Sequence, residues 1–302
     1  MADEAGAVQA AEQNTDDGWR VGRLLATTAS FLADKGSSTP RLDAELLLSR
    51  VLKMPKVQLY VNFEKLMAEA ELGEYRELVR RRSKHEPVAY ILGEKEFYGL
   101  KFKTTPAALI PRPETEHLVD EAIRLSKELW PGQSLRIADI GCGSGAISLA
   151  LASAVANAAV SAVDISESAL ELARENAAGL NLNDRVTFHH GDLTEPLKGG
   201  TFHLICANLP YIPTPEMATL MPDVGLHEPH LALDGGAAGL DLILRLLETS
   251  VAMLEPQGRI LLEIWPESLA ELEKAAATLG YKAAEPIRDL AGHNRIAVLF
   301  RD

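Results

Sequence analysis

Leu135-Arg136-Ile137-Ala138-Asp139-Ile140-Gly141-Cys142-Gly143-Ser144-Gly145 decides the fold. A short apolar run passes directly into a turn with glycine at alternate positions, and then into Ala146 to Ala154, a run of helix formers. A strand that empties into such a turn and a helix puts backbone amides and a helix N-terminus at the strand's carboxyl end, where open α/β sheets bind their ligands. Downstream, strand-like stretches at 160–164, 186–189, 202–207, 258–264 and 296–300 alternate with helical ones at 168–178, 240–253 and 269–279. That alternation predicts an α/β, doubly wound sheet with helices on both faces.

Upstream, the period is different. From Trp19 to Lys84 apolar residues recur at helical spacing, Leu24, Leu25, Thr28, Phe31 and Leu32, then Leu42, Leu46, Leu47 and Leu52, with Thr39-Pro40 as a helix start. A small helical domain is expected over 18–85, preceded by a disordered, acidic tail at 1–17. Val88 to Gly93 and Glu96 to Phe102 are short, aromatic and punctuated by glycine, so a β-hairpin linker is expected over 86–112 and the sheet domain over 113–302. Leu109-Ile110-Pro111-Arg112-Pro113-Glu114-Thr115-Glu116 is a stiff, proline-bracketed loop that opens into a helix.

The glycine spacing is GxGxG, not the dinucleotide GxGxxG, and Asp139 precedes it by two residues. A carboxylate there accepts from a cationic amino group and repels a pyrophosphate, which points to S-adenosylmethionine. Asp164, at the end of the next strand, is placed to bond ribose hydroxyls; the plainer reading is a helix cap, but Ser166 or Ser168 can serve as cap instead. Asp192 follows the third strand, either accepting from the adenine amine with Leu193 on the ring, or simply making a turn. The expected donor site is Asp139, Gly141, Cys142, Gly143, Ser144, Gly145, Asp164, Ile165, Asp192, Leu193 and Asn208.

The fourth strand ends in Asn208-Leu209-Pro210-Tyr211, beside the glycine loop in a doubly wound sheet. An amide or aromatic amine nitrogen is a weak nucleophile because its lone pair is delocalised. The Asn208 side-chain oxygen and the Leu209 backbone carbonyl can each accept one hydrogen of an NH2 group, aligning it and favouring charge on nitrogen. Pro210 stiffens the loop and Tyr211 offers a ring to stack. Asn208, Leu209, Pro210 and Tyr211 are the expected catalytic residues, and Ile212 and Arg112 join them in the substrate site. The histidine pairs at 189–190 and at 227 and 230 lack a completing ligand set, so no metal is expected.

With 30 basic and 43 acidic residues, a net charge of −13 opposes tight binding to phosphate backbones. The basic run at 80–85 is a local exception, read as a solvated helix end or a contact patch. Cys142 and Cys206 carry no ligand spacing and read as reduced. No apolar run approaches the roughly 18 residues of a membrane span, and the leader lacks a secretory or transit pattern, so a cytoplasmic protein is expected.

These residues together resemble the release-factor glutamine methyltransferases of the PrmC/HemK type, class I S-adenosylmethionine enzymes. The matching stretches are Asp43 to Leu48, Pro87 to Gly93, Phe97-Tyr98-Gly99, Leu109 to Glu116, the glycine loop, the acceptor motif and Asp289-Leu290-Ala291-Gly292-His293. The resemblance implies a helical N-terminal domain that grips the substrate protein, a hairpin, and a Rossmann-like methyltransferase domain. It implies as partner a class I peptide-chain release factor, modified on the glutamine of its Gly-Gly-Gln motif. The family usually has Asn-Pro-Pro-Tyr, so Leu209 departs from it, as do Trp265 and Ser268, where glycine and glutamine are expected. Rival readings are an adenine methyltransferase on nucleic acid, which uses the same four-residue motif on an extruded base, a glutamine methyltransferase of a ribosomal protein, and a nucleotide-binding module without turnover.

Overall fold

The computed structural model describes residues 18–289 and 291–301, so the tail expected at 1–17 lies outside the described residues. The chain divides into two compact units, one ending at Leu92 and one beginning at Gly93.

The first unit is helical: Val21–Asp34, Pro40–Leu52, Lys56–Val61, Glu69–Arg82 and Val88–Leu92. Its core is Val21, Leu24, Leu25, Ala44, Leu47, Leu48, Leu59, Leu72 and Tyr75. In the second helix the inward row is Ala44, Leu47, Leu48 and Val51, which leaves Leu42, expected inside, 39% exposed. Asp43 is buried there because it meets Arg82 Nε at 2.6 Å and accepts from Ser37 Oγ and Thr39 Oγ1 at 2.7 and 2.9 Å. Of the basic run at 80–85, Arg80 pairs with Glu77 and Arg81 with Glu86, so much of its charge is neutralised locally. The stretch 88–92, read as part of a hairpin, is a helical turn: the amides of Tyr90 and Ile91 both donate to Pro87 O, and Gly93 leaves it at φ +74°.

The second unit opens with a hairpin, β1 (Glu94–Phe97) and β2 (Leu100–Lys103). Then come β3 (Leu135–Ile140), β4 (Ala158–Asp164), β5 (Val186–His190), β6 (Phe202–Ala207), β7 (Leu254–Glu263), β8 (Lys282–Ala283), β9 (Ile287–Arg288) and β10 (Asn294–Phe300). The sheet order is β5-β4-β3-β6-β7-β10-β8, with β9 also on β10. Strands β3 to β7 run parallel, whereas β10 runs antiparallel to β7. It reaches its place from β9 through a short turn in which Asp289 N donates to His293 O, and only antiparallel neighbours admit so short a link.

Alternate residues of each strand serve opposite faces. Ile137, Leu204, Cys206, Leu261 and Val298 pack under the helices Glu116–Leu129, Ala146–Ala154 and Glu167–Gly179. Ala138, Ile140, Ile205, Ala207, Leu262 and Leu299 pack under Asp241–Ser250 and Leu269–Thr278. This is the doubly wound arrangement expected from the alternating pattern. Phe97 and Phe102 of the hairpin belong to the first of these cores, and Lys103 N donates to Asn176 Oδ1 at 2.7 Å, which ties the hairpin to the sheet's helical layer.

Candidate active site

The chain reverses its winding at β3, which has β4 on one side and β6 on the other, so two loops diverge at their carboxyl ends. Ile140 is level with Ala207, which sets Gly141 beside Asn208. A cavity of about 390 Å³ opens there, within the range of small-molecule sites of about 300–1,000 Å³. Its wall includes Gly141, Cys142, Gly143, Ser144, Asp164, Ile165, Asp192, Leu193, Asn208, Leu209 and Pro210, so most of the residues expected to hold the donor share one wall with the acceptor loop.

The glycine loop does not present its amides to the cavity as expected. Gly141 N and Cys142 N both donate to Val163 O, at 2.8 and 2.9 Å, and Gly143 N donates to Asp164 Oδ2 at 2.8 Å. The loop is therefore tied by hydrogen bonds to the end of β4, a poor cradle for phosphate. What it offers is bare backbone at close approach. A Cβ built on Gly141 would stand 2.8 Å from Leu209 Cδ2, at φ +75°. Gly145 is the helix cap, also left-handed, and is not on the wall.

The three aspartates differ. Asp139 is fully buried beneath the loop and does not reach the wall. Its Oδ2 accepts from both the amide and the hydroxyl of Ser148, while Oδ1 has no partner among the described residues. Burial pushes it up to about 7, against the pull of the two Ser148 bonds. Asp164 lies on the wall with its oxygens on Gly143 N and Ser166 N, and burial raises it as well. Ser166, not Asp164, caps the next helix, accepting from Ala169 N. Asp192 faces the cavity but is paired with Arg245 Nη2 at 2.5 Å, a wall residue that sequence reasoning passed over.

On the acceptor side, Asn208 Nδ2 donates to Thr115 Oγ1 at 3.1 Å, and Thr115 Oγ1 donates to Glu263 Oε2 at 2.6 Å. Tyr211 OH donates to Glu263 Oε1 at 2.8 Å. Glu263, at the end of β7, is 1% exposed and its carboxyl is raised by burial, with the two hydroxyls and nearby Arg295 pulling the other way. Tyr211, expected to offer its ring to a ligand, thus turns its hydroxyl inward and is not on the wall. Ile212 is also off the wall, its amide bonded to Leu233 O. Arg112 is on the wall and pairs with Glu228, a buried carboxylate that also accepts from Ile110 N at 3.1 Å. Pro229, Leu231 and Ala232 continue that wall. Trp265 and Ser268, which depart from the family pattern, bond to each other and lie off the cavity.

The sequence reads Glu228-Pro229 and glycines 235, 236 and 239 as a long ordered loop forming a pocket wall, and Pro229 is on the wall. It gives Thr115 and Glu263 no role; the available signal was a hydroxyl in the proline-bracketed loop and an acid closing an apolar strand. Among the described residues no group of His, Cys, Asp and Glu is arranged to hold a metal ion, and no helix is long and apolar enough to cross a membrane.

Comparison with known proteins bears on both units. A family model described as the PrmC N-terminal domain matches residues 23–93, and one described as a methyltransferase domain matches 137–225. The release factor glutamine methyltransferase of Rhodopirellula baltica is 43% identical over 290 residues, covering 95% of this chain and 98% of that protein. The protein of the same name from Geobacter sulfurreducens is 43% identical over 246 residues, covering 82% and 84%. A solved methyltransferase from Pyrococcus furiosus shares 22% identity at a TM-score of 0.50, over 68% of this chain and 90% of that one, a likeness of fold.

Proposed function

This chain belongs to the release factor glutamine methyltransferase family, and from that premise we propose that it methylates the side-chain amide of the glutamine in the Gly-Gly-Gln motif of class I peptide-chain release factors. It is an S-adenosylmethionine-dependent protein-glutamine methyltransferase. The observation that carries the finer reading is Asn208 at the cavity wall, with its Nδ2 held by Thr115 and its Oδ1 unbonded among the described residues.

The residues suit the donor. An uncharged glycine turn whose amides at 141–143 are bonded to Val163 and Asp164 fits a nucleoside without phosphates, while Asp139, buried beneath the loop and off the wall, would act on the donor only through the loop it underlies. Asp164, on the wall, would bond ribose hydroxyls. Asp192 would face the adenine, with Leu193 on the ring and Arg245 fixing the carboxylate. When bound, S-adenosylmethionine supplies an electrophilic methyl on a sulfonium. Asn208 Oδ1 and the Leu209 carbonyl then accept the two amide hydrogens of the substrate, which orient its nitrogen and favour the positive charge it acquires. The nitrogen gains its N–C bond as the S–C bond breaks, and loses one proton to solvent. Arg112, steered by Glu228, would support the substrate side.

The helical first unit would grip the release factor, and the two buried, unpaired cysteines suit a reducing cytoplasm. The acidic net charge favours a protein substrate over nucleic acid.

The test is to offer a labelled methyl donor with a class I release factor, with its Gln→Ala variant at the Gly-Gly-Gln motif, with ribosomal proteins and with nucleic acid. Mass spectrometry then maps the label. Label on the motif glutamine, and its loss in the variant, is expected; label confined to nucleic acid or to a ribosomal protein overturns the reading.

A further inference from the structure

We propose that Thr115 and Glu263 are positioning residues that set which way the Asn208 amide faces, keeping its oxygen toward the substrate nitrogen; this rests on the reading of Asn208 as the hydrogen-accepting group. The two ends of a carboxamide have nearly the same shape and opposite hydrogen-bonding character. Sterics alone therefore do not choose between them. With the amide turned over, Nδ2 would point its hydrogens at the substrate NH2, donor against donor, and the nitrogen would lose its acceptor.

The choice is made by a chain of bonds with a fixed direction. An ionised carboxylate can only accept, so Glu263 Oε2 at 2.6 Å takes the single proton of Thr115 Oγ1. Oγ1 is left with lone pairs alone toward Asn208, 3.1 Å away, and can be satisfied only by Nδ2. The Asn208 oxygen is then left for the cavity. Tyr211 donates to the other oxygen of Glu263 at 2.8 Å, so both carboxylate oxygens have a donor. Arg295 adds positive potential at Glu263 and is itself held by Asp289 Oδ2 at 2.8 Å. That gives a place in the site to Asp289, which is itself off the cavity wall.

A purely structural staple between the proline-bracketed loop, β6 and β7 would use the same contacts, so the test separates the two. Thr115→Val keeps the shape and removes the hydroxyl; Thr115→Ser keeps the hydroxyl and removes the methyl. Glu263→Met keeps the approximate length and takes away the acceptor, which leaves the Thr115 hydroxyl free to donate to Asn208; glutamine would not serve, since its carboxamide can turn its oxygen to Thr115 and its NH2 to the Tyr211 hydroxyl. Each variant, in the full-length protein, is assayed for kcat and KM with the release factor and for donor affinity by calorimetry. Thr115→Val and Glu263→Met are expected to lower kcat about 10- to 100-fold with donor affinity within about twofold, while Thr115→Ser stays within about threefold of wild type.

Wild-type kcat in Thr115→Val overturns the proposal, and so does a Thr115→Ser variant as impaired as the valine. If Thr115→Val does not fold, Glu263→Met decides: undiminished kcat there is equally fatal. Failure of the acceptor reading itself looks different, because then the wild-type protein leaves the release-factor glutamine unmodified.

Discussion

Gly141 and Leu209 are where the two halves of the site touch. Leucine stands in place of the family's usual proline, yet it is 5% exposed, packs with Ala138 and Ile140, and lies against the bare face of Gly141. A methyl at 141 would stand 2.8 Å from Leu209 Cδ2 on a backbone at φ +75°, which costs an L-residue roughly 1–2 kcal/mol before any contact is counted. Gly141→Ala is therefore expected to lower stability by at least about that amount, and to cut turnover along with donor affinity, because Leu209 carries the proposed acceptor carbonyl and must move. Thermal unfolding and steady-state kinetics check it; a variant that loses donor affinity while keeping kcat would mean that the two loops are not coupled. The glycine loop and Asn208-Leu209-Pro210-Tyr211 were legible in the sequence because each is contiguous and ends a strand. Thr115 and Glu263 were not, since they meet across 148 residues, and Asn208 meets Thr115 across 93. No local pattern marks a partner that only the folded sheet brings near. Asp139 shows the complementary difficulty: its spacing from the glycines was readable, but not that its Oδ2 turns toward Ser148.

The hairpin β1–β2 shows the same limits one level up. Its strands were read from alternating aromatic residues and glycines, and they form, but the neighbouring Val88 to Leu92 adopts a helical turn. Five apolar residues fit either period, and what decides is Pro87, whose carbonyl takes two amides, and Gly93, which ends the turn. Nor does the hairpin behave as a free linker. Phe102 is fully buried beside Phe97, their rings edge-on at 6.1 Å, within the core that underlies β3 and its helices. Phe102→Ala should thus destabilise the sheet unit by about 3–5 kcal/mol, as core phenylalanine truncations do. Urea unfolding followed by a probe in the sheet unit, such as Trp130 fluorescence, measures this. A midpoint equal to wild type would show the hairpin to be a mere tether. The alternation of strands and helices gave the doubly wound plan readily, whereas the reversed β10 was hidden, because direction depends on a turn too short to advertise itself.

For the whole molecule, one buried acid links stability to pH in a direction opposite to the usual carboxylate. Asp139 sits at about 7 in the folded protein against 3.8 when solvated, because burial disfavours its charge. Below 3.8 it is protonated in both states and makes no difference. Between the two values the folded chain holds a proton that the unfolded chain has released, so stability falls as pH rises, and the cost is fully present above about 7. The shift corresponds to about 4 kcal/mol as an upper figure, since one pKa unit is about 1.4 kcal/mol and Ser148 relaxes with the charge. Asn cannot ionise, so the stability of Asp139→Asn relative to wild type should improve from pH 5 up to about 7 and be level by pH 8. Urea midpoints at those two values test it, and a difference that stays constant with pH would remove the premise. The same variant carries a functional counterpart. Asp139 lies beneath the glycine loop and off the cavity wall, so its effect on the donor passes through the loop and not through a direct bond to Oδ1. Asp139→Asn should accordingly gain stability at pH 8 with donor affinity within about threefold of wild type, and a larger loss by calorimetry would show that the carboxylate meets the donor directly.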